Sequence, residues 1–271
     1  MNAQLIDSSA RIAAGAKVGR DVSIGPYCII GPDVTLGDGC RLVSHVSLAG
    51  HTSIGPRTTI YPFASLGAPP QSVKYKGGPT RLTVGADCDI REGVTANIGT
   101  EEDGGLTEIG DRCFLMVNSH VGHDCRVGNG VVMANGTVLG GHVSVGDNVV
   151  FGGGVAVRQF VRIGEGAMIV GLSGVRADVI PWGMAHGPLA NLVGLNVIGM
   201  RRNGAAKSDI LQIRRAYQAL FFGEGEFRTR LDAMEAAYGA DRHVRKIIDF
   251  IRAGKRPLTM AIKRNEGDED S

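Results

Sequence analysis

The candidate chemistry of this chain gathers near its middle. His120, His123 and Asp124 fall close together, and Gly141, His142 and Gln159 follow further along the same patterned region. An imidazole beside a carboxylate suits general-base work, because the acid orients the ring and stabilises it once it has taken a proton. Gly141 offers a backbone N–H with no side chain in front of it, the kind of donor that stabilises a developing oxyanion. Base, orienting acid and oxyanion donor are the equipment of acyl transfer. His45, His51, His186 and His243 have no such company and are expected to be solvated surface residues.

What must position these groups is a repeat. From Ile12 an aliphatic residue recurs every six positions at Val18, Ile24, Ile30, Leu36, Leu42, Leu48, Ile54, Ile60 and Leu66. The rhythm pauses at a Pro/Gly-rich insertion over 68–83, returns at Val84 and Ile90, breaks over Gly99–Leu106 and then runs from Ile109 to Val175. Self-similarity of this kind marks a solenoid. Six is even, so every marked residue points to one face of a pleated strand, whereas a period of 3.6 would scatter them around a helix. A small residue follows each marker by four positions, and Cys28, Cys40, Cys88, Cys113 and Cys125 all take that inward place. They are expected to be core fillers. Short strands stacked about 4.8 Å apart, with backbone groups paired from coil to coil, make a β-helix.

Composition agrees. Glycine supplies 41 of 271 residues, about twice the usual share of roughly 7%, without a collagen period. A net charge of +2 gives no basic face for nucleic acid. No apolar run approaches a membrane span and the start shows no leader pattern, so a soluble, cytoplasmic protein is expected. After Val175 the hexads fade, and from about Lys207, with Lys207 or Ser208 as the cap, helical spacing takes over. It runs through Ile210, Ile213, Tyr217, Leu220 and Phe221, then Leu231, Met234 and Ala237, then Val244, Ile247, Ile248 and Ile251, before a frayed acidic end at Glu266–Ser271. Two domains are expected, 1–190 with its insertion and a helical 191–271. A convex shaft has no pocket, so a ligand site needs a second wall from a neighbouring subunit. The insertion, with Gln71, Lys74, Tyr75, Lys76 and Arg81, is the local candidate for a substrate-covering loop.

The hexads, Lys74-Tyr75, Gly78-Pro79-Thr80-Arg81, Ile90-Arg91-Glu92, the run Asn118–Cys125, Gly141–Val145 and the helical tail together resemble the UDP-N-acetylglucosamine acyltransferase family. That resemblance implies three strands per turn and so eighteen residues per coil, wound left-handed, with a C-terminal helical domain. On that coil no two cysteines stand eighteen residues apart, while His123 lies over Gly141, Asp124 over His142 and Gly141 over Gln159. The resemblance implies a homotrimer that moves an R-3-hydroxyacyl chain from acyl carrier protein to the 3-position of UDP-N-acetylglucosamine, the first step of lipid A synthesis. No covalent intermediate, cofactor or metal is expected. His123 would be the base, Asp124 its orienting acid and the Gly141 amide the oxyanion donor. Gln71, Ser72, Lys74, His120, His142 and Gln159 would contact sugar, phosphate or acyl chain. Gly171 would gauge acyl length, its missing side chain favouring a long chain, and Asn196, Arg201 and Arg202 would receive the nucleotide end.

Ser72, Asn97-Ile98, Arg158 and Asn203 depart from the commonest pattern of the family, which raises a 3-amino analogue of the UDP-sugar as an alternative acceptor. The competing readings are a sister N-acyltransferase, an acetyltransferase using coenzyme A, a zinc hydratase and a non-catalytic scaffold. The sister enzyme carries an additional N-terminal domain, whereas the hexads here begin by Ile12.

Overall fold

The computed structural model describes residues 5–262; the acidic end at Glu266–Ser271 lies outside them. The hexads between residues 5 and 186 build three parallel sheets of short strands, here called faces A, B and C in the order the chain reaches them. Among the described residues they hold ten, nine and eight parallel strands, and face A gains an eleventh, antiparallel strand at Asn191–Leu195. Most strands are only two residues long, with the second residue buried: Ile24, Leu42, Ile60, Ile90, Leu115 and Met133 stack in one file of face A. Up to residue 175, strands that pair are three apart in sequence. Ser23 aligns with Arg41, a step of eighteen (41 − 23 = 18), and Arg41 with Thr59. The architecture is a left-handed parallel β-helix with a C-terminal helical region, as the resemblance implies.

Two steps are longer. Thr59 aligns with Asp89 (89 − 59 = 30) and Asp89 with Phe114 (114 − 89 = 25), so the interruptions add twelve and seven residues to an eighteen-residue coil. Both leave the shaft at the edge between faces B and C, after strands Ser65–Ala68 and Thr95–Asn97. Strand Arg81–Val84 pairs with His51–Ile54 and with Leu106–Ile109, so residues 81–83 of the expected insertion belong to the shaft and the loop proper is 69–80. The seven added residues also make neighbours of two cysteines that do not stand eighteen residues apart. They bring Cys88 and Cys113 onto adjoining coils beside the aligned pair Asp89 and Phe114. All five cysteines are free and buried, and the Cys88 and Cys113 thiols donate to the Gly110 and Gly128 carbonyls.

The shaft runs further than the hexads from Ile12 to Val175. Leu5–Ile6 pairs with Ser23–Ile24, and at the other end Gly183–His186 turns back against Asn191–Leu195. Then come α1 (Val197–Arg202), α2 (Lys207–Phe222), α3 (Phe227–Tyr238) and α4 (Arg242–Arg252). Helix α1 has no counterpart in the sequence reading. Helix α2 is capped at Ala206 without a side-chain bond, so Lys207 and Ser208 lie inside the helix instead of capping it. His243 is not solvated either: it is buried, its ring 5.9 Å from that of Trp182. Ile213, Leu220, Met234, Val244 and Ile248 form the helical core. After α4 the chain returns to the shaft, where Asp178 N–H donates to the Pro257 carbonyl and Leu192 N–H to that of Met260.

Because stability rests on filled aliphatic files, Leu115→Ala, at a fully buried position, is expected to cost about 2–5 kcal/mol in urea unfolding. A change indistinguishable from that of the surface variant Lys17→Ala would contradict this packing account.

Candidate active site

The B–C edge carries the candidate site. On three successive coils of this edge one residue takes a left-handed conformation: Asp124 (φ 58°), His142 (φ 63°) and Phe160 (φ 65°). Left-handed backbone is unusual for residues other than glycine, and the stack of coils holds it in place: His142 N–H donates to the His123 carbonyl and Phe160 N–H to that of Gly141. The result is a ladder of side chains that project from one edge at strand spacing.

His123 Nδ1 and Asp124 Oδ2 are 2.8 Å apart. The Asp124 side chain is almost fully buried, and its ionised form is satisfied by its neighbours: Thr100 N–H donates to Oδ1 at 2.8 Å and the Thr100 hydroxyl to Oδ2 at 2.7 Å. The Asp124 N–H in turn donates to the Thr107 hydroxyl. A buried carboxylate needs such partners. With Nδ1 engaged, His123 presents Nε2 as its proton acceptor. The imidazole lies directly over Gly141, where an added Cβ would stand 2.5 Å from Cε1 and 2.7 Å from Nε2. Glycine is therefore required beneath the ring. Its N–H has no protein acceptor among the described residues, which leaves it available to an oxyanion.

His142 completes the cluster. Its ring meets that of His123 edge-on at 5.0 Å and lies flat on Phe160 at 4.3 Å, with Nδ1 2.9 Å from Asp103. A cleft of about 430 Å³ opens beside it, lined by Asp103, Asp124, Arg126, Phe160 and Arg256. His120, three residues before His123, bonds to the Thr95 hydroxyl at 2.7 Å. The neighbouring Cys125 is no nucleophile, since burial pushes its thiol up to about 12. His123, Asp124 and His142 could offer ligand atoms within 4.8 Å of one another to a metal. Three hydrogen bonds, with Thr100 N–H, the Thr100 hydroxyl and His123 Nδ1, already occupy the Asp124 carboxylate, which suits a proton-transfer dyad better than a cation cage.

The edge thus brings together His123, Asp124, Gly141 and His142, with Gln159 exposed one coil on and His120 on the adjoining face. Gln71, Ser72 and Lys74 stand on the loop at the same edge, where Lys74 N–H donates to the Ser72 hydroxyl and its ammonium lies 3.5 Å from Glu102. Gly171 is elsewhere, on the edge between faces A and B, next to Leu172. Asn196, Arg201 and Arg202 sit beyond the shaft at α1. Asn196 is spent structurally: its oxygen caps Gly199 N–H and its amide donates to the Gly166 carbonyl. Two of the departing residues are similarly engaged, Asn97 with the Ala68 and Pro69 carbonyls and Asn203 with that of Gly199.

A sequence profile described as UDP N-acetylglucosamine O-acyltransferase, domain 2, matches residues 178–259, and one described as bacterial transferase hexapeptide (six repeats) matches 15–50 and 106–141. The acyl-carrier-protein-dependent UDP-N-acetylglucosamine O-acyltransferase of Azorhizobium caulinodans is 56% identical over 259 residues, covering 95% of this chain and 96% of its own. This chain belongs to the UDP-N-acetylglucosamine O-acyltransferase family. The Rhizobium etli protein of the same name is 48% identical over 193 residues, 71% of each chain. The solved structure of LpxA from Acinetobacter baumannii matches with a TM-score of 0.91 at 39% identity, covering 96% of this chain and 100% of its own. As a UDP-N-acetylglucosamine O-acyltransferase family member the protein is an acyltransferase. Among its described residues no helix is long and apolar enough to cross a membrane.

Sequence reasoning missed Thr100, Thr107, Asp103 and Phe160 in this UDP-N-acetylglucosamine O-acyltransferase family site. Phe160 could have been found by adding eighteen to His142; the two threonines and Asp103 lie in or beside the irregular segment, where no period points to them. Gly141→Ala is expected to displace the His123 ring and lower kcat/KM about a hundredfold with the fold intact by circular dichroism; retention of full activity would contradict the reading of the bare amide. A second prediction concerns acid. Burial, and then the charge of His123, lower the His120 pKa from its ordinary 6.5. Just below 6.5 the unfolded chain therefore binds more protons than the folded one, so stability is lost as pH falls through the folded value. Urea midpoints of His120→Gln should fall less steeply than wild type between about pH 7 and about pH 5; identical slopes would contradict this.

Proposed function

We propose that the protein transfers an R-3-hydroxyacyl chain from acyl carrier protein to the 3-hydroxyl of UDP-N-acetylglucosamine, the first step of lipid A synthesis, as a homotrimer in the cytoplasm. The observation that carries this reading is the buried His123–Asp124 dyad lying over the side-chain-free amide of Gly141. His123 Nε2 takes the proton of the sugar hydroxyl as its oxygen attacks the thioester carbonyl. The tetrahedral oxyanion accepts a hydrogen bond from Gly141 N–H, and Asp124 stabilises the imidazolium. Collapse breaks the carbon–sulfur bond, and the departing thiolate takes the proton back from His123. Acyl carrier protein leaves with a free thiol, and no acyl-enzyme forms.

The trimer supplies the second wall. Face C presents the exposed charged residues Lys17, Arg81, Glu108 and Arg126, whereas the lower half of face A presents Phe114, Val132, Val150 and Met168, and face B presents Ile29 and Val138. Faces A and B are thus suited to packing against neighbours, with their shared edge toward the threefold axis and face C in water. In that arrangement Gly171, Arg201 and Arg202 of one subunit can line one cleft with His120, His123, His142, Gln159 and the loop residues Gln71, Ser72 and Lys74 of another. Arginine is apt at the nucleotide end, since its fork pairs with phosphate oxygens.

The test is to incubate the protein with UDP-N-acetylglucosamine and a set of hydroxyacyl carrier proteins and weigh the products. A UDP-sugar with a 3-amino group serves as competitor, probing whether Ser72, Asn97, Arg158 and Asn203 alter acceptor choice. His123→Ala is expected to lose at least about a hundredfold in turnover while sedimenting as a trimer. Undiminished turnover, or turnover of coenzyme A thioesters alone, would refute the reading.

A further inference from the structure

The irregular turn after strand Thr95–Asn97 carries an acid that no periodicity marks. It is a single 3-10 turn, Glu101–Asp103, closed by left-handed Gly104 and Gly105 at φ 77° and 69°. Its first flank, Thr100, holds Asp124 by two hydrogen bonds. Its last residue, Asp103, places Oδ2 2.9 Å from His142 Nδ1. One turn therefore grips both the orienting acid of the dyad and the histidine stacked below it.

His142 is constrained in two ways. Phe160, parallel to within 6° at 4.3 Å, fixes the plane of the ring. Stacking leaves a half-turn flip about the Cβ–Cγ bond open, since it keeps the ring in the same plane, and Asp103 selects the orientation that turns Nδ1 toward its carboxylate. With Nδ1 donating to Asp103, Nε2 points inward and lies 3.8 Å from Asp124 Oδ2. Among the described residues no other side chain hydrogen-bonds to the His142 ring. Asp103 itself is more than half exposed, so its ion pair adds little to stability. Its effect is on where His142 points.

We infer that Asp103 is a positioning residue for the acyl transfer, acting through His142 by fixing which ring nitrogen faces the dyad. This rests on the proposed reaction, in which His142 lines the substrate cleft beside His123. The same turn also steadies the loop: Glu101 accepts from Gly78 N–H at 2.7 Å, and Glu102 pairs with Lys74. Those contacts belong to other side chains, so removing the Asp103 carboxylate leaves them in place.

Kinetics of Asp103→Ala, Asp103→Asn, His142→Ala and the double variant Asp103→Ala/His142→Ala separate the possibilities, with single-turnover product mass as the readout for weak variants. Asp103→Ala should lower kcat/KM about tenfold at unchanged thermal midpoint and trimer content. Asp103→Asn should recover most of that loss, because its amide oxygen still accepts from Nδ1. In a His142→Ala background the Asp103→Ala change should cost nothing further. An impaired His142→Ala beside a normal Asp103→Ala would overturn the inference and leave the proposed reaction standing. Losses that multiply in the double variant would also overturn it, since Asp103 would then act independently of His142. No turnover by the unaltered protein would overturn the reaction itself, and the inference with it.

Discussion

The paired backbone between coils governs this molecule. Each two-residue strand gives its amides to the coil above and below, so a coil can change length only where the extra chain leaves the stack as a loop. Within a coil the eighteen-residue register is rigid. That rigidity sets a histidine over a glycine, and an aspartate beneath a threonine, without help from a deep hydrophobic pocket. It also explains why the twelve-residue and seven-residue additions are absorbed at an edge while the aliphatic files of Ile60, Ile90 and Leu115 continue unbroken through them.

Both additions leave at the edge that carries the dyad, on the two coils before it. The functional consequence follows from electrostatics. An aspartate as buried as Asp124 would be costly if left alone, and the second addition answers that cost by delivering Thr100 N–H and its hydroxyl to the two carboxylate oxygens. Both carboxylate oxygens are then hydrogen-bonded beside His123. The first addition carries Lys74 to the same side and is tied back through Glu101 and Glu102. An otherwise uniform rod thereby acquires one edge unlike its other two.

The sequence made the shaft legible because burial repeats: an aliphatic residue every six positions leaves few alternatives to stacked strands. The residues of the dyad were legible because they stand inside that rhythm, where adding eighteen takes His123 to Gly141. Residues outside it were opaque. Thr100 and Asp103 lie in a segment whose length, unknown in advance, decides which coil it touches. The same uncertainty hid the meeting of Cys88 with Cys113. His243 looked like a surface histidine because helical spacing did not reveal that Trp182 would cover it. The cap of α2 was misplaced because Ala206 bears no polar side chain, while Asn196, read for its chemistry, is held by Gly199 and Gly166.

A single chain places the dyad on one edge and Gly171 on another, so the account depends on a bound state in which the acceptor sugar reaches His123 from the side left open by its own subunit. The most direct measurement is a structure of the protein with UDP-N-acetylglucosamine and an unreactive thioester analogue of the acyl carrier. The account predicts the sugar 3-oxygen within about 2.6–3.2 Å of His123 Nε2 and the analogue's carbonyl oxygen turned toward Gly141 N–H. A sugar bound with its 3-oxygen turned away from His123, or an acyl carbonyl held at a different edge, would contradict it.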